Sequence, residues 1–314
     1  MHPVSAQRFS LRISVITPCL NGARYLGEAI ESVLMQGYSN IEHVVADGGS
    51  TDGTLEILSR YSHLKILSSP DHGMYDALNR ALAVAEGEVI GILNSDDRYA
   101  DDVFSSVVEA FRDESVMALA GGAVTFGDAA NDDPLVVERL MPVGVDLLFQ
   151  STLGNPSINA WFFRASVFAK IGGFDATYRV AGDRDFMLRF AFSGLRYVET
   201  QKQVCRYRIH PESMTFGGNE EIWDTVLREH NRMTDLYLCK PALSKRARVL
   251  IKQARTRDTL LGAIHSARQY DLRKLILHAV AGTRHDPMWP ARFAKRAMYL
   301  LAMKIALREQ SGRT

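Results

Sequence analysis

Three short acidic segments hold the residues best suited to chemistry. They are Asp47-Gly-Gly-Ser-Thr-Asp52-Gly-Thr54, Asn94-Ser95-Asp96-Asp97 and Gly182-Asp183-Arg184-Asp185. The adjacent carboxylates Asp96 and Asp97 repel each other, and a divalent cation lying between them and phosphate oxygens relieves that repulsion. Hard cations such as Mn2+ or Mg2+ take oxygen ligands, commonly one or two carboxylates together with substrate phosphates. A carboxylate in the first turn of a helix is held ionised by the helix dipole. An ionised Asp183 is therefore a general base for any hydroxyl within hydrogen-bond reach. The glycines beside Asp47 allow tight turns and close backbone approach to a ligand, and the Asp47 carboxylate is suited to accept from a base N–H. Each segment also has a plainer reading. The first is a turn in which Ser50, Thr51 and Asp52 cap the next helix, the second a solvated loop, and in the third Asp183 is itself the cap.

The elements before these segments place them on one edge. Ile13–Thr17, Glu42–Ala46, Leu64–Ser68, Val89–Leu93 and Met117–Gly121 are short apolar runs that predict strands. Between them, Tyr25–Gln36, Thr54–Tyr61, Met74–Ala85 and Asp101–Arg112 predict helices. Strands alternating with helices imply an α/β fold, a mostly parallel twisted sheet flanked by helices. Ligands on such sheets bind at the carboxyl ends of the strands, which is where the first two acidic segments fall. Residues 122–160 are less regular, with a loop at NDDP 131–134. Further on, 164–171 and 183–193 predict helices and 203–209 a strand. Trp161-Phe162-Phe163 reads as core in preference to a sugar-stacking platform. From about Ile222 the chain is helical and basic, broken by Asp286–Pro290 before a last amphipathic helix. The boundary is set at 220/221, with a basic helical C-terminal region after it.

Charge divides at nearly the same place. Residues 1–239 carry 20 Lys+Arg and 32 Asp+Glu, net −12, whereas residues 240–314 carry 17 and 4, net +13. The apolar face of 292–308, with Trp289 at its entrance, suits an anionic membrane surface or packing on protein. The tail holds no recognisable nucleic-acid motif, so nucleic acid is not expected as a partner. Cys19, Cys205 and Cys239 are odd in number and far apart. That argues against a disulfide framework or zinc site and fits a reducing cytoplasm. The N-terminus MHPVSAQRFSLR lacks the apolar core of a secretory signal. The longest apolar stretch, Ala297–Leu307, contains Lys304 and falls short of a membrane span. The expected location is cytoplasmic, peripheral on the inner face of the cell membrane.

The ordered segments ISVITPCLNG, VVADGGSTDGT, SPDHGMYDALNRAL, AEGEVIGILNSDD, GGFD and AGDRDFMLR resemble the inverting glycosyltransferases of family 2, of the bacterial polysaccharide and glycolipid type. The resemblance covers roughly residues 11–215. It implies the GT-A nucleotide-sugar fold over 1–220 and transfer of a sugar, with inversion, from a nucleotide diphosphate-sugar donor to a sugar or lipid-linked sugar acceptor. It also implies roles for residues. Pro18, Leu20 and Asn21 would line the nucleotide pocket, Asp47 would bond the base with Ser50 beside it, and Asp71 and Gly73 would form another wall, with Asn79 one helix face behind. In the acidic loop Ser95 and Asp96 would face the ribose and Asp97 the metal. Many members have Asp where this chain has Asn94. Asp183 matches the base and Asp185 its helper, which orients basic side chains or the acceptor. His210 would be a further ligand to Mn2+ or Mg2+, and Arg206 or Arg208 would neutralise the leaving diphosphate. Two other classes are open: a sugar nucleotidyltransferase, disfavoured because the loop after the first strand reads ProCysLeuAsnGlyAlaArg, and a non-catalytic scaffold that binds membrane or a partner.

Overall fold

The computed structural model describes residues 10–127, 137–139, 146–154, 157–213, 220–268, 273, 274, 276–278 and 280. Four apolar runs form the parallel part of a sheet: β1 (Ile13–Cys19), β2 (Ile41–Asp47), β3 (Leu64–Ser68) and β4 (Val89–Ile92). Every residue of β1 is buried, as expected of a parallel strand covered on both faces. The crossovers are α1 (Leu26–Leu34), α2 (Thr54–Leu58) and α3 (Met74–Val84). Leu26, Ile30 and Leu58 from the first two helices pack with Cys19 and Val45 in one buried cluster.

The chain then continues as β5 (Arg98–Tyr99), α4 (Val103–Ala110), β6 (Ala118–Gly127), β7 (Val137–Arg139), α5 (Leu147–Thr152), β8 (Trp161–Arg164), α6 (Ala165–Ile171), α7 (Gly182–Ser193) and β9 (Tyr197–Ile209). The sheet order is β3-β2-β1-β4-β8-β6-β9-β5, with β7 paired to β6. The parallel order β3-β2-β1-β4 is what the strand–helix alternation implies. Beyond β4 the sheet becomes mixed: β8 runs antiparallel to both neighbours, β6 and β9 pair in parallel, and β5 returns antiparallel to β9.

The short strands β5 and β7 escape the sequence pattern, and β6, β8 and β9 depart from it. β6 runs on to Gly127 and β9 begins at Tyr197, through the polar stretch Glu199-Thr-Gln-Lys202. Their pairing slips between Ala120 and Ala123, so neither strand keeps one uninterrupted alternation. β8 is the Trp161-Phe162-Phe163 row itself, with all three rings fully buried. Phe162 stacks on Tyr99 and meets Phe104 edge-on, while Phe163 packs on Phe186 and Phe190 of α7. These aromatics are core, each stabilising the fold by about 1.5–3 kcal/mol through burial, and they seat α7 against the sheet. The NDDP loop, the break at 286–290 and the final amphipathic helix lie outside the described residues.

The chain divides into two compact units between Ile222 and Trp223. The second contains most of α8 (Glu220–Leu238) and all of α9 (Lys245–Arg268). There Asp258 is buried between Arg257, whose Nε donates at 2.7 Å, and His230, 3.6 Å away. Burial works to raise its carboxyl, but the bonds from His230 and Arg257 hold it at about 2. Among the described residues no helix is long and apolar enough to cross a membrane.

Candidate active site

The loops after β1 and β2 are laced together at the carboxyl edge of the sheet. Gly48 N–H donates to the Cys19 carbonyl at 2.9 Å. Asn21, at φ 51°, accepts from Thr51 N–H at 2.9 Å and gives its own N–H to the Ser50 hydroxyl at 2.7 Å. Pro18 is buried in β1, while Leu20 stands 59% exposed at the lip. The expected cap of α2 does not form. Gly53 occupies that position without a side-chain bond, and Ser50 is turned to Asp47 instead. Asp52 accepts from Thr54 N–H and from Ala23 N–H, adding another tie between the loops.

Asp47 has a different place from the one expected. It is fully buried, and its oxygens accept from Gly49 N–H, Ser50 N–H, the Ser50 hydroxyl and the Ser68 hydroxyl. Burial works to raise its carboxyl, and these donors bring it below the usual carboxylate range. Asp47 therefore closes the turn; contact with a base would require displacing its own loop. The more open carboxylate here is Asp71, whose Oδ1 accepts from Gly73 N–H at 2.9 Å. A Cβ on Gly48 would lie 2.5 Å from Asp71 Oδ2, so the absent side chain at residue 48 is what admits this carboxylate. Asn79 is engaged with its own chain. Its amide donates to the Phe174 carbonyl at 2.7 Å and accepts from Phe174 N–H at 2.8 Å. It clamps the Gly172-Gly-Phe-Asp175 segment from the helix face that carries Tyr75.

The loop after β4 divides its two aspartates. Asp97 is fully buried and accepts from Asn159 Nδ2 at 2.6 Å, Arg208 N–H at 2.9 Å and Asn94 Nδ2 at 3.2 Å. Burial, then the neighbouring Asp96, push its carboxyl well above the usual range. Expected as the metal ligand, Asp97 is instead a tie-point whose oxygens are occupied by protein donors. Asp96 is the carboxylate left toward the site, with Oδ2 3.0 Å from His210 Nε2. The His210 ring packs on Tyr25 at 4.8 Å, and its Nδ1 is buried without a hydrogen-bond partner. Ser95 bonds the Cys19 thiol, joining this loop to the first. Burial is the larger influence on that thiol and pushes it up to about 12, which makes it a poor nucleophile.

Arg208 does not face a diphosphate. It is 4% exposed, donates to Glu28 Oε2 at 2.7 Å and to the Asp96 carbonyl at 3.0 Å, and lies over the Tyr25 and Phe126 rings. Glu28 also pairs with Arg98 at 3.1 Å. Arg206 is paired at the surface with Asp101, 3.7 Å away. Glu28, Tyr25 and Asn159 escape the sequence reading. Their tasks depend on contacts with distant segments that no local spacing encodes.

α7 carries the third acidic segment. The position capping it is Ala181, with no side-chain bond. Asp183 thus sits inside the first turn, half-buried, and does not cap it. Its Oδ1 lies 3.3 Å from the Tyr75 hydroxyl and accepts from Arg184 N–H at 2.7 Å. Asp185 is buried and accepts from Arg189 Nε at 2.8 Å. Arg189 in turn donates to the carbonyls of Ile171, Gly172 and Gly173. Arg184 reaches the carbonyls of Ser151, Thr152 and Gly154 at the end of α5. The two arginines fasten α7 to two earlier segments, 151–154 and 171–173.

Comparison with known proteins gives the family and the fold. Residues 14–172 match Glycosyl transferase family 2. An uncharacterized glycosyltransferase of Mycobacterium tuberculosis is 34% identical over 234 residues, 72% of this chain and 84% of its own. Two solved structures share the fold. S. aureus TarS 1-349 in complex with UDP-GlcNAc gives a TM-score of 0.55 at 16% identity, over 88% of this chain and 92% of that one. The mannosyltransferase PcManGT from Pyrobaculum calidifontis, in complex with GDP-Man and Mn2+, gives 0.57 at 19% identity, over 95% and 87%. With half its length matched to the family and a relative that similar over most of both chains, this protein belongs to glycosyl transferase family 2 and is a glycosyltransferase.

Proposed function

We propose that the enzyme moves a sugar from a nucleotide diphosphate-sugar to an acceptor hydroxyl with inversion, in the assembly of a cell-surface polysaccharide or glycolipid. The observation that carries this reading is a division along one sheet edge. Asp96 pairs with His210 after β4, and Asp183 meets Tyr75 at the entrance of α7. Between Asp71 and the Asn21–Ser50 lacing, the loops after β1, β2 and β3 offer the nucleotide its place. Support for a nucleotide-sugar donor also comes from the two structural neighbours, one holding UDP-GlcNAc and the other GDP-Man.

Asp183 takes the proton of the acceptor hydroxyl as that oxygen attacks the anomeric carbon, and the bond to the diphosphate breaks in the same displacement. No enzyme nucleophile is required. Asp96 and His210 are the residues to hold Mn2+ or Mg2+; a carboxylate and an imidazole suit either Mn2+ or, with more water, Mg2+. Among the described residues no three His, Cys, Asp or Glu side chains gather into a cage, so substrate oxygens and water would complete the shell. A bound cation supplies charge neutralisation at the departing diphosphate. The acceptor, a sugar or lipid-linked sugar, is met at the cytoplasmic face of a membrane, to which the basic tail draws the chain. The split of net −12 against net +13 supports that placement.

Three experiments test the reading. UDP-, GDP- and dTDP-sugars are screened by thermal shift with Mn2+; ligand at 100 times its Kd adds about 2.7 kcal/mol of stability. NMR of the product from the best donor should show the opposite anomeric configuration, and retention would overturn the single displacement. For the tail, full-length protein and a truncation after about Asp286 are sedimented with anionic vesicles. Binding of the full-length chain alone, weakened by salt, is the expected result. Equal pelleting of both, or of neither at low salt, would make the tail a packing element and the acceptor a soluble one.

A further inference from the structure

Tyr75 lies on α3, between the part of that helix nearest Asp71 and the segment that carries Asp183. Its ring is 2% exposed and stacks on Phe174 at 5.8 Å. A Cβ on Gly182 would come 2.8 Å from that ring, so the backbone at the start of α7 is pressed directly against it. Asn79, one turn further along the same helix face, locks Phe174 by two hydrogen bonds. The ring is held on both sides, while its hydroxyl can rotate. That hydroxyl has one proton and two acceptors in reach: the Val180 carbonyl at 2.7 Å and Asp183 Oδ1 at 3.3 Å. Burial, with the Asp183 charge acting in the same direction, pushes the phenol well above its ordinary range, so it remains a donor.

We infer that Tyr75 is a positioning residue for the transfer reaction, holding Asp183 through a hydroxyl that shifts its proton between Val180 and Asp183 as the base changes charge. The inference rests on the reading of Asp183 as the base. Ionised Oδ1 is the stronger acceptor and draws the hydroxyl proton toward it. When Asp183 has taken the acceptor's proton, its carboxyl oxygens accept more weakly and the Val180 carbonyl draws the hydroxyl back. Every proton is accounted for: the acceptor's proton ends on Asp183, and the phenol keeps its own throughout. Because α3 begins beside Asp71 and Gly73 and presents Tyr75 to α7 from its first turn, the same short helix serves both the nucleotide wall and the base.

The test is a double-mutant cycle on the full-length chain, with the best donor from the screen, Mn2+, and water as acceptor; release of nucleotide diphosphate is measured. Tyr75→Phe keeps the ring and removes only the hydroxyl. Turnover should fall about tenfold, the lower end for loss of a hydrogen bond to a charged group, with donor KM changed less than about twofold. On an Asp183→Asn background the same substitution should have no further effect. Asn79→Ala is the control for loosening: it frees Phe174 without touching Asp183, and its loss should multiply with that of Asp183→Asn. Melting temperatures of all variants are taken alongside, and a Tyr75→Phe chain that melts early is assayed below its transition. Equal losses from Tyr75→Phe on both backgrounds, or no loss on either, would overturn the positioning role while leaving Asp183 as the base. Near-normal turnover by Asp183→Asn alone would instead remove the base reading itself.

Discussion

Two aspartate pairs stand on the same edge of the sheet, and they are anchored by opposite means. After β4, Asp97 is buried against neutral donors, two asparagine amides and a backbone N–H. At the start of α7, Asp185 is buried against a cation, Arg189. In each pair the second aspartate ties the segment down and the first is turned toward the site: Asp96 to His210, Asp183 to Tyr75. Without a countercharge, Asp97 is pushed well above the ordinary carboxylate range, by burial first and by Asp96 second. Arg189 has three backbone carbonyls of its own, so it stays partly satisfied if Asp185 is lost. Removing Asp97 strands two buried donors, Asn159 Nδ2 and Arg208 N–H, and one half-buried donor, Asn94 Nδ2. Adjacent acidic residues thus separate into those whose loss injures the reaction and those whose loss injures the fold.

The widest separation is expected for Asp183→Asn. Turnover should fall about 100- to 10,000-fold, the range for general-base help, while donor-induced stabilisation stays close to that of the native chain. Near-normal transfer would place Asp183 with Asp185 as an anchor and erase the distinction within α7. Next comes Asp96→Ala. A direct ligand should weaken Mn2+-dependent donor binding by more than the about 10- to 100-fold that outer partners of a metal site already cost. Calorimetric titration of the donor with and without Mn2+ measures this, and unchanged metal dependence would return the ligand role to another residue.

The anchors sharpen the contrast through stability. Asp97→Ala should lower unfolding free energy by about 3 kcal/mol, since each stranded buried donor costs about 1–3 kcal/mol; denaturant midpoints report it. Asp185→Ala should cost least, about 1 kcal/mol or less, since both partners of this i,i+4 pair keep some solvent contact and Arg189 keeps its carbonyls. If the two alanine variants lose equal stability, the kind of partner does not distinguish the two anchors.

Much of this was legible in the chain. The apolar runs at 13–17, 42–46, 64–68 and 89–93 predict β1 to β4 closely; the signal is cleanest for β1 and β4, which are buried along their whole length, and weaker for the edge strand β3, whose residues stay partly exposed. The segments after β2 and β4 could be placed at the ligand edge on that basis alone. The reading failed where a strand is polar or slips register, as in β9 and the later part of β6. It failed also for Ser50, where a local cap motif was overridden by Asp47, three residues earlier and needing donors of its own.

What the amino-acid sequence determined by itself was the repeating strand–helix plan, the edge on which the acidic segments lie, and the burial of Trp161-Phe162-Phe163. These follow from periodicity and from short-range signals carried by consecutive residues. Which of two neighbouring aspartates faces the site was decided only by tertiary structure. Asn159 meets Asp97 across 62 residues, Tyr75 meets Asp183 across 108, and His210 meets Asp96 across 114. Asp96 and Asp97 are chemically identical and adjacent in sequence. They differ only because a buried carboxylate must find donors, and for Asp97 two of the three come from afar: Asn159 in the short turn before β8 and Arg208 N–H on β9.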